Sequence, residues 1–133
     1  MKKQPATILI VEDDPALNEA YRMILGKSGQ TVHSVFNGLE ALKFIESEKK
    51  DPDIILLDLR MPVMDGVSFL REFKPLEHPE CTVVVFSNYD AHKDIDEAYS
   101  LGVDRYVLKA RAAPKDLIHL VDSIVNERSA VEV

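Results

Sequence analysis

The sequence predicts an α/β fold, a doubly wound five-stranded parallel sheet with five helices in three layers. Three observations predict it. Short apolar runs rich in β-branched residues alternate five times with longer segments of helical spacing. Several of the runs are continuously apolar, which is typical of strands covered on both faces. Turn and cap residues separate the segments, and such strand–helix alternation favours right-handed parallel crossovers.

The predicted strands differ in how enclosed they are. Residues 8–11, 54–57 and 82–86 are continuous apolar runs and are expected at the centre of the sheet. Residues 31–36 contain polar interruptions and residues 106–108 are few, so these two runs are expected at the edges.

The segments between the strands have helical periodicity. Each places apolar residues three or four positions apart on one face, the pattern of a helix packed against a core. In chain order the five faces are Leu17, Tyr21, Ile24 and Leu25; Leu39, Leu42 and Ile45; Val67, Leu70 and Phe73; Ile95, Ala98 and Tyr99; and Leu117, Leu120, Val121 and Ile124.

Cap and turn residues predict where the helices begin and end. Asp14 before Pro15 is typical of an N-cap followed by proline at the first helical position, so Asp14 is expected to be a cap rather than a ligand. Pro114 is expected to open the last helix. Turns or helix ends are also predicted at Asn37-Gly38, Asp65-Gly66 and Leu101-Gly102.

Length and charge bound the organisation and the function. The 133 residues predict one domain, 1–133, with a core at about 7–126 and a frayed tail at 127–133. The 16 basic and 23 acidic residues give a net charge of −7, which argues against direct nucleic-acid binding. The single cysteine, Cys81, excludes a disulfide within the chain and fits a reducing compartment.

The N-terminal segment predicts neither export nor membrane insertion. Lys2 and Lys3 precede an apolar run of only four residues, 8–11, before acidic residues end it. A signal peptide needs a longer apolar core and a membrane span needs about 20 apolar residues. The expected location is the cytoplasm.

Polar residues follow the predicted strands at the edge where ligands bind in open α/β sheets. Because the strands are parallel, these residues are expected to meet. Carboxylates about 4 Å apart repel by roughly 4 kcal/mol at an effective dielectric near 20, so the cluster should hold protons or a cation. Oxygen ligands favour a hard ion such as Mg²⁺. The residues are Glu12, Asp13 and Asp14 after the first strand, Asp58 after the third, Ser87 and Asn88 after the fourth, and Lys109 after the fifth.

Four motifs carry a family resemblance. "ILIVEDDP", "DIILLDLRMPVMDG", "VVVFS" and "DRYVLK", in this order, resemble the receiver domain of response regulators in bacterial two-component signalling, over about residues 7–126. The resemblance implies a flavodoxin-like sandwich like that of the single-domain chemotaxis regulators. It also implies a cytoplasmic phosphoprotein that acts in signal transduction.

The resemblance implies specific roles. Asp58 would be the phospho-acceptor. Glu12 and Asp13, with Asp58 and the backbone carbonyl of Arg60, would hold Mg²⁺ or Mn²⁺, with Glu12 acting mostly through water.

Other residues would contact the phosphoryl group and respond to it. Ser87 would hydrogen-bond the phosphoryl group and Lys109 would pair with it. Ser87 and Tyr106 would form the switch, Tyr106 turning inward as the hydroxyl moves toward the phosphate. The changed surface would be that of the fourth helix, fifth strand and fifth helix.

The implied function is that of a response regulator. A histidine kinase or phosphotransfer protein would supply the phosphoryl group, and a downstream protein would bind the changed surface. Phosphorylation is also compatible with dimerisation of the chain. The chain would have only self-phosphotransfer and autodephosphorylation activity and would otherwise not be an enzyme. As a single domain it would act through another protein.

Two residues depart from the usual family pattern, and two others are bulky at positions that in the family influence the rate of dephosphorylation. Ala110 follows Lys109 where proline is usual, and Asn88 stands where a small residue is usual, which is expected to narrow access to Asp58. Arg60 and Tyr89 are bulky and lie two residues after Asp58 and Ser87, so slow attack of water on the aspartyl phosphate is expected.

Three other functions are open at this stage. A hydrolase of the haloacid dehalogenase kind carries a second aspartate two residues after the nucleophile, where this chain has Arg60. A flavodoxin-like flavin carrier needs a phosphate loop after the first strand, where Glu12, Asp13 and Asp14 would repel a phosphate. A pseudo-receiver would dock partners without being phosphorylated.

Overall fold

A computed structural model describes residues 5–89 and 91–131 and has the predicted architecture. Five parallel strands form one sheet in the order β2-β1-β3-β4-β5. The strands are β1 (Thr7–Val11), β2 (Thr31–Val35), β3 (Ile54–Leu57), β4 (Thr82–Ser87) and β5 (Arg105–Leu108). The helices are α1 (Pro15–Lys27), α2 (Gly38–Ser47), α3 (Gly66–Phe73), α4 (His92–Ser100) and α5 (Pro114–Val131), with 3₁₀ turns at Pro75–Glu77 and Lys109–Arg111.

The sheet separates two apolar cores because successive side chains of a strand point to opposite faces. In β1, Leu9 and Val11 face α2, α3 and α4, whereas Ile8 and Ile10 face α1 and α5. All four side chains are at most 1% exposed. Burying an aliphatic side chain of this size contributes about 1.5–3 kcal/mol, so the central strands anchor the fold.

The edge positions of the two weaker runs are confirmed. β2 and β5 lie at the ends of the sheet, and every residue of β5 is half-buried. β2 ends at Val35, one residue before the expected end, and Phe36 beyond it is 42% exposed. β5 begins one residue early, at Arg105.

The predicted cap at Asp14 is confirmed, and the turns or helix ends predicted at Asn37-Gly38 and Asp65-Gly66 are the starts of α2 and α3. Asp14 accepts hydrogen bonds from the backbone N–H groups of Ala16 and Leu17, at 2.9 and 3.1 Å, and Pro15 opens α1. Asn37 and Asp65 cap α2 and α3 in the same way, accepting from Glu40 N and Ser68 N. These side chains satisfy N–H groups that a helix leaves unpaired at its start.

The prediction of a frayed tail at 127–133 is wrong for residues 127–131, which continue α5, and residues 132–133 lie outside the described part of the chain. The segment Glu-Arg-Ser-Ala-Val contains no glycine or proline to end a helix. Glu127 accepts from Arg105 Nη2 at 3.2 Å, and Arg128 Nη1 donates to Asp53 O and to Thr82 Oγ1, both at 3.2 Å. These contacts attach the end of α5 to the sheet.

Among the helices that the structure describes, none is both long enough and apolar enough to cross a lipid bilayer.

Candidate functional site

The fold brings the predicted carboxylates together at the carboxyl edge of the sheet. Glu12 and Asp13 directly follow β1, and Asp58 directly follows β3. β1 and β3 are neighbours, and the backbone N–H of Asp58 donates to Val11 O at 3.1 Å. One carboxylate oxygen from each of the three acids lies within 4.8 Å of the others. The convergence expected from parallel strand ends is confirmed.

Asp58 lies at the centre of this site and is 7% exposed. Its Oδ1 accepts a hydrogen bond from Ser87 Oγ at 2.6 Å and from the backbone N–H of Arg60 at 3.2 Å. Its Oδ2 accepts from Lys109 Nζ at 2.8 Å. These three donors lie after β3, at the end of β4 and in the 3₁₀ turn after β5, and together they fix the orientation of the Asp58 carboxylate.

Lys109 pairs with two carboxylates. Its ammonium group contacts Glu12 Oε1 as well as Asp58 Oδ2, and its side chain is 8% exposed. Burial by itself lowers the pKa of Lys109, but the hydrogen bonds to Asp58 and Glu12 and their negative charges outweigh it and raise this pKa. Lys109 is therefore a cation at neutral pH and offsets part of the acidic charge.

For Glu12, burial has a larger effect on the pKa than the hydrogen bonds do, in contrast to Lys109. Burial raises the pKa of its carboxyl group and outweighs the hydrogen bonds from Lys109 and from the backbone N–H of Asp14, both of which lower it. A buried carboxylate is poorly solvated, so its ionised form carries a free-energy cost. One ammonium group does not balance three carboxylates.

The donor set fits a hard dication. Glu12, Asp13 and Asp58 offer only oxygen ligands, and two of them are buried while Asp13 is exposed toward solvent. Such a cluster is typical of the Mg²⁺ site of receiver domains, and Mn²⁺ takes similar ligands. The backbone carbonyl of Arg60 as a further ligand stays a prediction; the residue lies beside the site through its bond to Asp58.

Asn18 was missed by the sequence analysis. Its side chain is 2% exposed, and Nδ2 donates to Glu12 O and to Val35 O, both at 3.0 Å. It thereby joins the ends of β1 and β2 next to the acidic pair. The signal in the sequence is a polar residue directly after Leu17, at the border of the apolar face of α1.

Arg60 and Tyr89 meet beside Asp58. The Arg60 guanidinium carbon lies 4.1 Å from the centre of the Tyr89 ring, a cation–π arrangement. Both residues are tied to the site, because Arg60 N donates to Asp58 Oδ1 and Tyr89 N donates to Ser87 Oγ at 3.1 Å. The sequence indicated two bulky groups here but not that they stack.

Asn88 and Ala110, the two residues that differ from the usual family pattern, are in contact with each other. Asn88 Oδ1 accepts from the backbone N–H of Ala110 at 2.7 Å. Asn88 is exposed, and the narrowing of access to Asp58 expected from its size stays a prediction.

Tyr106 lies in β5 and is half-buried against the core that faces α2, α3 and α4. Its hydroxyl donates to Tyr89 O at 3.4 Å, and its backbone N–H donates to the hydroxyl of Tyr99 at 3.0 Å. β5 pairs with β4, which carries Ser87 at its end. The position suits the expected switch role, which stays a prediction.

Cys81 takes no part in this chemistry. It is 7% exposed, and burial raises the pKa of its thiol to about 12. The group therefore stays protonated at neutral pH, and a thiol is a poor nucleophile.

A parallel sheet in this order, with three carboxylates and a lysine at its carboxyl edge, defines the class of receiver domains. The chain belongs to this family: the family model "Response regulator receiver domain" matches residues 8–122. It is a two-component response regulator receiver domain involved in signal transduction. Receiver domains partner histidine kinases and are typically phospho-acceptors rather than classical enzymes.

Individual relatives agree. The chain is similar to sporulation initiation phosphotransferase F of Bacillus subtilis, with 30% identity over 117 residues that cover 88% of this chain and 89% of the relative. It is 34% identical over 118 residues to the nitrate/nitrite response regulator protein NarL of Escherichia coli, covering 87% of this chain and 53% of that protein. The chain thus spans about half the length of NarL.

Among solved structures, the chain is similar to a CheY-like response regulator receiver domain from Methanospirillum hungatei. The TM-score is 0.86 at 26% sequence identity, and the match covers 96% of this chain and 98% of the other.

Proposed function

We propose that Asp58 accepts a phosphoryl group from a phosphohistidine on a partner histidine kinase or phosphotransfer protein. The observation that carries the proposal is the setting of this one carboxylate. It lies between two further acids and a buried ammonium group, with Ser87 Oγ and Lys109 Nζ on its two oxygens. A carboxylate so placed combines a nucleophile with groups that offset the charge of an incoming phosphoryl group.

The transfer is an in-line displacement. A carboxylate oxygen of Asp58 attacks phosphorus and forms the P–O bond, while the P–N bond to the donor imidazole breaks with its electron pair on that nitrogen. The imidazole leaves as a neutral group because its other ring nitrogen carries the proton. Lys109 contributes positive charge beside the transferring oxygens, and the Ser87 hydroxyl donates a hydrogen bond. Glu12, Asp13 and Asp58 would hold Mg²⁺, with the carbonyl of Arg60 as a further ligand. When bound, the ion supplies charge neutralisation between carboxylates and phosphoryl oxygens.

The response follows from the same contacts. A phosphoryl group on Asp58 adds negative charge that competes for the Ser87 hydroxyl and the Lys109 ammonium group. Ser87 would leave its present position, and Tyr106 would turn into the space behind it. The surface formed by α4, β5 and α5 would then change and be read by a downstream protein or by a second copy of this chain. Tyr99, 46% exposed on α4, lies on that surface.

Two alternatives have less support. A docking-only pseudo-receiver would have no need of a carboxylate oriented by three donors. A hydrolase of the haloacid dehalogenase kind would need a second carboxylate two residues after Asp58, where Arg60 instead stacks on Tyr89.

Labelling with a small phosphodonor tests the proposal. With acetyl phosphate and Mg²⁺, intact-mass spectrometry of the protein should show one added phosphoryl group that hydroxylamine removes. Asp58→Asn should abolish the label, and chelation of Mg²⁺ should abolish it in the wild type. Asp65→Asn is the matched control, because it removes a nearby carboxylate and keeps the oxygen that caps α3. Labelling that persists in Asp58→Asn would refute the assignment.

A further inference from the structure

Asn88 connects the two loops that carry the phosphoryl-contacting residues of the proposed function. Asn88 follows Ser87, the last residue of β4, and Ala110 follows Lys109, the first residue after β5. The Asn88 side-chain oxygen accepts the backbone N–H of Ala110 at 2.7 Å. The bond therefore joins the neighbours of Ser87 and Lys109, the two residues whose side chains donate hydrogen bonds to Asp58.

The bond lies beyond the end of the sheet. The pairing of β4 with β5 ends at Ser87 opposite Leu108. Ala110 lies in the 3₁₀ turn Lys109–Arg111, whose preceding residue provides no side-chain cap. An N–H at the start of a helical turn has no partner within the turn. Asn88 supplies that partner from another element and extends the connection between the two loops past the last strand pair.

Both departures are needed for this bond. Residue 88 must offer a side-chain oxygen, and residue 110 must offer a backbone N–H, which a proline lacks. The backbone N–H of Tyr89 donates to Ser87 Oγ at 3.1 Å and holds the same loop from its other side.

We infer that Asn88 is a positioning residue for phosphorylation: its bond to Ala110 fixes the spacing between Ser87 and Lys109, so that both donors meet the Asp58 carboxylate together. The hydroxyl of Ser87 lies 2.6 Å from Oδ1 and the ammonium group of Lys109 lies 2.8 Å from Oδ2. Small displacements of positioned groups lower the rate of a transfer reaction strongly. The inference rests on the proposed function of Asp58.

The inference and a purely steric role for Asn88 predict opposite results. If the side chain only restricts entry to Asp58, Asn88→Ala speeds labelling by a small phosphodonor. If it positions the loops, Asn88→Ala slows labelling by about three- to tenfold, the range expected from one lost hydrogen bond. Asn88→Asp retains an acceptor oxygen and should restore most of the rate at high ionic strength, where the added charge is screened.

The test measures two quantities on the full chain. Hydrogen exchange of the Ala110 amide, followed by NMR without phosphodonor, reports the bond itself; Asn88→Ala should speed this exchange and Asn88→Asp should not. The labelling rate with acetyl phosphate and Mg²⁺ is measured for Asn88→Ala, Ala110→Pro and the double variant. Both substitutions remove the same hydrogen bond, between Ala110 N and Asn88 Oδ1. The double variant should therefore be labelled no more slowly than the slower single variant.

Several outcomes would overturn the inference. They are unchanged exchange of the Ala110 amide in Asn88→Ala, an unchanged or faster labelling rate, and rate losses that multiply in the double variant. Circular dichroism identifies any variant that fails to fold; if Asn88→Ala does, Ala110→Pro decides, because it removes the same bond and leaves the Asn88 side chain in place. If the wild type takes no label, the proposed function of Asp58 fails, whereas the exchange measurement still shows whether the bond exists.

Discussion

At the scale of single residues, the candidate site carries more negative than positive charge. Glu12, Asp13 and Asp58 bring three carboxylates within 4.8 Å, and Lys109 is the cation that contacts two of them. The Lys109 side chain is 8% exposed, so these pairs are poorly screened by water. Removing one partner of a buried pair leaves the other charge without compensation.

Lys109→Met should destabilise the metal-free protein by about 3 kcal/mol at pH 7. The raised pKa of Lys109 means that its contribution is present below its ordinary pKa and is lost as the pH rises through the higher folded value. Burial also raises the pKa of Glu12, so acid neutralises this carboxyl group early and removes one of the two negative charges that Lys109 contacts. The destabilisation should therefore shrink as the pH falls through the Glu12 pKa.

Urea unfolding at pH 7 and at acid pH, with chelator present, measures this difference. Lys43→Met is the control, since it removes the same charge from the exposed face of α2. A loss of stability that is equal at both pH values would contradict the role given to Lys109.

Arg60 and Tyr89 should determine how long the phosphoryl group stays on Asp58. Their stacking at 4.1 Å places two large groups beside the carboxylate, where they restrict the approach of water. Arg60→Ala should therefore speed autodephosphorylation by about two- to fivefold, in line with a surface cation–π contact. Loss of label from the purified phosphoprotein measures the rate. Arg111→Ala is the control for charge, and an unchanged lifetime in Arg60→Ala would contradict the prediction.

At the scale of elements, the site depends on close packing of α3 beneath Asp58. A Cβ on Gly66 would lie 2.4 Å from Asp58 O and 2.8 Å from Leu59 Cα. Both are backbone atoms of the segment that carries Asp58, so neither can move without moving Asp58. Gly66 N also donates to Leu59 O at 2.9 Å. A glycine is required there for space rather than for backbone freedom.

Gly66→Ala should lower the free energy of unfolding by about 1–3 kcal/mol and slow labelling of Asp58. Gly26→Ala is the matched control: nothing lies within 4 Å of a Cβ at this position in α1, so alanine should stabilise the helix by up to about 1 kcal/mol. Urea titrations of both variants measure the two effects. A Gly66→Ala protein as stable as the wild type would contradict the packing described for α3.

The strands and the acidic site could be predicted from the sequence, whereas contacts made by loops could not. The convergence of Glu12 with Asp58 follows from parallel pairing of two apolar runs, which periodicity indicates. The bond from Ala110 to Asn88 depends on loop conformation, which has no periodic signal in the sequence. The last seven residues are expected to fray because chain ends usually do, but α5 continues to Val131 since no glycine or proline follows Asn126 to end it.

At the scale of the whole molecule, we expect folding and cation binding to be coupled. A ligand that binds only the folded state raises the free energy of unfolding, and the three carboxylates form a site only in the folded state. Mg²⁺ should therefore stabilise the protein in proportion to the logarithm of its concentration above the dissociation constant.

Asp13→Asn should stabilise the protein without Mg²⁺ and should reduce the additional stability that Mg²⁺ gives. Without the ion, loss of one repelling charge on an exposed carboxylate should stabilise the protein by about 1 kcal/mol. With the ion, the variant should gain less than the wild type because a ligand is weakened. Thermal unfolding over a Mg²⁺ series measures both effects, with Asp122→Asn on the surface of α5 as the control. Equal gains from Mg²⁺ in Asp13→Asn and wild type would exclude Asp13 as a ligand.

The direction of α5 has a practical consequence. Arg128 contacts Asp53 and Thr82 at the starting edge of the sheet, the edge where β1 also begins. Pro5 and Val131 therefore lie on the side of the domain opposite Asp58. A fluorescent fusion partner or a sensor-chip linker attached at either end leaves the acidic edge facing the solution, so kinase encounter can be recorded without obstruction by the tether.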